Sequence, residues 1–307
     1  MKLSREAFKR AVAFVMSEAR PLDQQLYRYY FEGGSKENVV AALALFQNDD
    51  GGFGHCLEPD VRLEVSSVLA TTVAVQCMSK IGLDERHNLV AGAIQYFLNQ
   101  YDHEKQRWPI LPKEVNDVPH APWWHFDEGR DYPGTHSSWA NPGAEVVGYL
   151  HEYKTLVPTT FLADVTAIAL CECEKAPLKM DMHDFYCFQR LFSCVAARDQ
   201  KVIFNKLKET VREITLRHRH EWHDYGAKPL DVAPSPSVPF ASLLEKEIAA
   251  QLDHEIEKMN EHGCVLPSWS WFGHYEDTWP QAKREWVGYL TVKMLKVFQD
   301  YGRIGEG

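Results

Sequence analysis

Apolar residues return every three to four positions through most of this chain, and almost no stretch alternates in the two-residue rhythm of a strand. That pattern restricts the fold to packed helices. At the amino end Phe8, Ala11, Val12 and Val15 share one face, while Arg5, Lys9 and Arg10 interrupt any longer apolar run. The same spacing predicts helices over residues 4–18, 22–32, 36–47, 66–81, 86–100, 143–154, 159–174, 182–197, 201–217, 239–261 (with a break) and 280–300. Start signals agree: Ser35 stands before Lys36, Ser66 before the Val68–Val75 run, and Pro142 and Pro158 lie at helix starts. Gly82 offers a natural stop.

Three stretches resist a helical reading: 48–65, 107–141 and 218–239, all rich in Pro, Gly, His and aromatic residues. Irregular segments of this length are usually lids, binding loops or disordered linkers, and the aromatic content argues against disorder. No Gly/Ser-rich linker divides the chain, so residues 1–307 are expected to form a single all-α domain. A length of 307 residues is long for one ordinary domain but suits a ring of repeats that closes on itself.

Charge and cysteine content narrow the setting. The formal charge is -10 with no basic stripe, which argues against a nucleic-acid partner and against docking on an anionic membrane surface. A membrane span needs roughly 18 or more consecutive apolar residues, and no such run occurs. Seven cysteines is an odd count. Cys77, Cys171, Cys173, Cys187 and Cys194 fall within predicted helices, as expected of buried thiols in a reducing cytoplasm.

Helix ends repeat a pattern. The helix through Ala41, Leu45 and Phe46 runs into Gln47-Asn48-Asp49-Asp50-Gly51-Gly52-Phe53-Gly54, and the run Ala91-Gly92-Ala93-Ile94-Gln95-Tyr96-Phe97-Leu98-Asn99-Gln100 leads to Trp108. A weaker copy passes Leu252, Ile256 and Met259 to His262-Gly263, ahead of Trp269 and Trp271. A glutamine at a helix end can satisfy orphan backbone groups, glycines permit a tight reversal, and the aromatic ring packs over the turn. Hairpins of this kind bury their inner faces only by stacking.

These residues resemble the Gln-to-Trp repeats of squalene-hopene-type cyclases, and Ser66-Ser67 with Ala70-Thr71-Thr72 resembles the helix start after such a turn in prenyltransferase β-subunits. The resemblance to the terpenoid cyclase and protein prenyltransferase superfamily covers residues 35–110 and, more faintly, 250–300. It implies an α/α toroid with a central cavity lined by inner helices. Polysaccharide lyases and glycosidases use the same ring, so the scaffold leaves the reaction open. The Asp-any-Asp-Asp run of class II cyclases does not occur in the sequence, no Asp/Cys/His zinc set matches, and Asp49-Asp50 lacks the third acid of a class I motif. No family catalytic residue is therefore carried over.

Candidate site residues come from the irregular segments. Within His120-Ala121-Pro122-Trp123-Trp124-His125-Phe126-Asp127, the aromatics can line a site for a sugar or an isoprenoid, with His125 or Asp127 moving protons; alternatively the rings pin the loop to the scaffold. After the glycine turn, Glu58 or Asp60 can act as an acid in a cavity mouth with His55 beside it, or can cap the next helix with Arg62 as ion-pair partner. His55, Cys56 and Asp60 supply only three ligands of a zinc set, so no metal site is assigned. Trp269 and Trp271, followed by Trp279, Glu285 and Trp286, form either a pocket wall or the packing that closes a ring. Glu145, four residues after Asn141, is either a cavity base or a helix-start acid. His220 and His223 are three apart, not the four of a helical zinc motif.

The expected partner is a small molecule, an isoprenoid or a saccharide, with no cofactor identified. The first functional expectation is a toroid protein holding an isoprenoid-type ligand in an aromatic cavity. A carbohydrate-active toroid enzyme using a carboxylate and a histidine is the second, and a non-catalytic binding ring the third.

Overall fold

The computed structural model describes residues 1–134 and 137–305. Among them the regular structure is helical, with β-pairing confined to isolated bridges, so the all-α expectation holds. No described helix is long and apolar enough to cross a membrane. The chain forms two compact units, Met1–Ala42 with Ile214–Gly307, and Leu43–Glu213.

The first unit contains α1 (Arg5–Glu18), α2 (Pro21–Phe31), most of α3 (Lys36–Ala44), and the later α10 (Pro229–Val232), α11 (Glu245–His262) and α12 (Trp279–Asp300). Ser4 caps α1 by accepting a hydrogen bond from the Ala7 amide at 3.2 Å. Ala7, Ala11 and Val15 make its buried face; of the apolar stripe in the sequence Ala11 and Val15 are buried, Phe8 and Val12 only half-buried. Small residues let α1 meet α12 closely: a Cβ added to Gly288 would stand 2.7 Å from the Cβ of Ala19. The two ends of the chain are tied together. Leu3 pairs with Ile304, and Asp253 accepts from the Met1 ammonium at 2.9 Å and from Arg303 at 2.8 Å. The break expected within 239–261 falls between a 3-10 turn at Ala241–Leu243 and α11. The segment expected to be wholly irregular, 218–239, carries the short α10 and a 3-10 turn at Arg219–Glu221.

The second unit holds α4 (Val68–Lys80), α5 (Asn88–Gln100), α6 (Ala140–Glu152), α7 (Thr159–Lys175), α8 (Met182–Cys194) and nearly all of α9 (Ala197–Ile214). Ser67, one residue beyond the expected cap, accepts from the Ala70 amide at 3.0 Å and starts α4. α6 and α8 pack tightly because Gly148 leaves room; a Cβ there would approach the Leu191 Cα to 3.2 Å. None of the seven cysteines forms a disulfide. Cys77, Cys173 and Cys187 are buried as expected, whereas Cys194 is half-buried and Cys171 exposed.

The glycine turn is a bonded corner. Gln47 donates through Nε2 to the Gly51 carbonyl at 2.9 Å and to the Leu89 carbonyl in the first turn of α5 at 3.2 Å. Gly51 sits at φ +84° with its Cα against Gly92, where an added Cβ would come within 2.5 Å of the Gly92 carbonyl oxygen. Asp50 accepts from the Gly52 amide at 2.9 Å and the Ser66 hydroxyl at 2.7 Å, which explains its presence without a ligand role. Phe53 is fully buried, its amide donating to Thr71 Oγ1 at 3.0 Å. At the second corner Trp108 is buried and donates through Nε1 to the Phe97 carbonyl at 2.8 Å.

Candidate functional site

Two of the irregular segments meet in the second unit. Val61 and His120 form an antiparallel bridge, the Ala121 amide donates to the Asp60 carbonyl at 2.8 Å, and the Arg62 amide donates to the Pro119 carbonyl at 3.0 Å. The acid-bearing loop after the glycine turn therefore runs alongside the loop that carries the paired tryptophans. Local sequence does not specify this pairing, which joins Val61 to His120.

Within the first loop, Asp60 is buried and Glu58 is half-buried with its carbonyl accepting from the Val61 amide at 3.1 Å. His55 is exposed, sits at φ +51° and bonds through Nε2 to Asn48 Oδ1 at 2.8 Å, which ties it to the turn. In the second loop a 3-10 turn over Pro122–Trp124 leaves Trp123 half-buried and Trp124 buried. Asn116 clamps the loop, donating to the Phe126 carbonyl and accepting from its amide, both at 2.9 Å. His120 is buried; its Nδ1 lies 2.6 Å from the Val118 carbonyl and its Nε2 3.2 Å from Nδ1 of the exposed His125. Asp127 is exposed and paired with Arg130 at 3.1 Å, a solvated ion pair of small energetic weight.

Glu145 occupies a different setting, the seam between α4, α6 and α8. It is 4% exposed and accepts from Gln76 at 2.8 Å, Tyr149 at 2.6 Å, Arg190 at 2.9 Å and, weakly, the Cys187 thiol at 3.6 Å. The helix-start reading therefore gives way to a buried ion pair one turn into α6. Cys187 also reaches Asn141 Oδ1 at 3.9 Å, so the two residues do share a face. Burial, and then the neighbouring Glu145 carboxylate, pushes the Tyr149 phenol and the Cys187 thiol well up, so both keep their protons. Asp184, one turn before Cys187 on α8, has its carboxyl pushed up to about 6 by burial, against the opposing hydrogen bond from Ser138.

Asp184, Arg190, Gln76 and Tyr149 were not anticipated. Gln76 has a legible signal, since it interrupts the apolar run of α4, and Asp184 has another, since it falls at the three-, four- and seven-residue spacing from the buried Cys187, Phe188 and Leu191 of α8. Arg190 has none, because it lies off the Phe185, Phe188, Leu191 face and its partner Glu145 comes from another helix.

Trp269 and Trp271 belong to the first unit. Trp271 is fully buried, 5.6 Å from the Trp279 ring, and Trp269 packs edge-on to Trp286 at 5.0 Å. His220 lies in the turn at Arg219–Glu221, and His223 contacts only its exposed neighbour Asp224 among the ion pairs found, at 3.1 Å. Among the described residues no three His, Cys, Asp or Glu side chains converge as a metal-holding group.

No protein-family model, no curated protein and no solved structure matches this chain.

Proposed function

We propose that the chain is an α/α-toroid protein of the terpenoid-cyclase and prenyltransferase kind, binding an apolar, isoprenoid-type small molecule against the tryptophan loop of its second unit. The observation that carries this reading is the corner around Gln47. The glutamine spans from the end of α3 to the first turn of α5, and Gly51 lies flat on Gly92, so the residues behind the resemblance also act together as a structural unit. The half-buried Trp123, held beside the buried Trp124, offers the apolar face that such a ligand would contact.

A saccharide-active enzyme is the second reading, and the loop pairing favours it. A purely apolar ligand has no use for a buried Asp60 and a histidine pair on adjoining strips of backbone, whereas sugar hydroxyls do.

Titration of intrinsic tryptophan fluorescence with farnesol and, separately, with uncharged oligosaccharides such as cellohexaose distinguishes the two. The first reading expects saturable quenching by farnesol that weakens roughly tenfold in Trp123→Ala, equivalent to about 1.4 kcal/mol of lost contact. Absence of saturable farnesol binding would overturn it. Oligosaccharide binding with release of reducing ends would establish the second reading in its place.

A further inference from the structure

The contacts of His120 and His125 fix where their protons sit. A backbone carbonyl can only accept, so the 2.6 Å contact to Val118 places a proton on His120 Nδ1. When the His120 ring is neutral, its Nε2 is then a lone pair. Its 3.2 Å partner, His125 Nδ1, must supply the proton of that bond. His125 is left with a bare Nε2, on a ring that is exposed while His120 is 2% exposed. The two ring planes lie within 10° and their centroids are 5.4 Å apart, too far for face-to-face stacking and right for rings joined edge to edge through a hydrogen bond.

The surrounding backbone holds this arrangement. Ala121 is pinned to Asp60, the Trp124 amide donates to the Ala121 carbonyl at 2.9 Å, and the Gly134 amide donates to the His125 carbonyl at 2.8 Å. With Asn116 clamping Phe126, both sides of His125 are fastened. A histidine whose tautomer is set by a buried partner, presenting its other nitrogen outward, is the arrangement that orients a working imidazole.

We propose that His125 is the proton acceptor of this loop cluster, with its basic Nε2 set by His120 as a positioning residue. The donor is a hydroxyl of the ligand or a water beside it. The O–H bond breaks, the oxygen keeps the electron pair, and the proton joins Nε2 to give the His125 imidazolium. That cation still donates through Nδ1 to His120, so the relay survives the transfer. The source of the proton rests on reading these loops as a ligand site; the tautomer is a property of the protein alone, and its test needs no ligand.

The test is long-range proton–nitrogen correlation NMR of [15N]histidine-labelled protein at a pH where the rings are neutral, with His125 assigned by its loss in His125→Asn. Wild type is expected to show His125 protonated at Nδ1 with a lone-pair signal at Nε2. His120→Phe, which keeps a ring but no acceptor, is expected to return His125 to the Nε2–H form that isolated histidine favours. His120→Gln, whose amide oxygen can accept, is expected to hold the Nδ1–H form. A wild-type His125 protonated at Nε2 overturns the proposal without any variant having to fold, and so does a tautomer unchanged in His120→Phe. Failure of both farnesol and cellohexaose to bind in the fluorescence titration would instead strike at the ligand reading and leave the tautomer standing.

Discussion

Replacing Arg190 by methionine tests whether the Glu145 centre is held as an ion pair or merely as a set of hydrogen bonds. The carboxylate is 4% exposed, and Arg190 is its only cationic partner among the ion pairs found, at 2.9 Å. Breaking a buried pair from one side destabilises a protein by about 3–5 kcal/mol, because the remaining charge stays in a medium of low dielectric. Here the Arg190 side chain is 36% exposed, so solvent screens part of the attraction, and Gln76 and Tyr149 still donate to the carboxylate. The expected loss is therefore smaller, about 2–3 kcal/mol. Urea unfolding followed by far-ultraviolet ellipticity at neutral pH reads it as a lowered midpoint at unchanged slope. The double variant Glu145→Gln with Arg190→Met removes the stranded charge yet keeps an oxygen for Gln76 and Tyr149 to donate to, and is expected to recover about 1–2 kcal/mol relative to Arg190→Met alone. If the double variant is no more stable than the single one, charge burial is not what destabilises Arg190→Met, and the reasoning fails.

The remaining expectations concern the corner and a single carboxyl. Gly51→Ala should lower the melting temperature far more than Gly33→Ala: both glycines have positive φ, but only at Gly51 does a Cβ run into backbone, 2.5 Å from the Gly92 oxygen, while Gly33 faces open space. The Gly33 variant should lose about 1 kcal/mol from the left-handed backbone alone, and equal losses at the two positions would contradict the close contact. Asp184 ionises less readily in the fold, near pH 6 against an ordinary 3.8, so its favourable contribution is complete below pH 3.8 and is lost as pH rises through 6. Asp184→Asn should accordingly match wild type near pH 4 and exceed it at pH 8 by up to about 2–3 kcal/mol, as measured by denaturation across that range; equal stability at pH 8 would show the carboxyl to be well solvated.

Helix content was written plainly in the residues. The buried positions Ala11 and Val15 needed no partner to be recognised, since a 3.6-residue period reveals that face of α1 before anything packs on it. The glycine corner was visible in part: the φ of +84° at Gly51 is a local demand that the sequence states locally, whereas Gly52, hemmed in by Ser66 and Tyr96, and the buried Phe53 answer to packing from distant residues. Helix ends moved by a residue or a few where side chains elsewhere competed for the cap, as when Ser67 rather than Ser66 starts α4 and Ser66 bonds to Asp50 instead. The environment of single ionisable groups was not legible. Glu145 reads as a helix-start acid until Gln76, from sixty-nine positions earlier, and Arg190, from forty-five later, close around it. The meeting of Val61 with His120 is of the same kind, a contact between residues far apart in sequence whose pairing neither segment encodes on its own. Periodicity and turn chemistry are short-range and are stated by neighbours; burial, ion pairing and the direction of a histidine proton depend on what the folded chain brings alongside, and only three dimensions supply that.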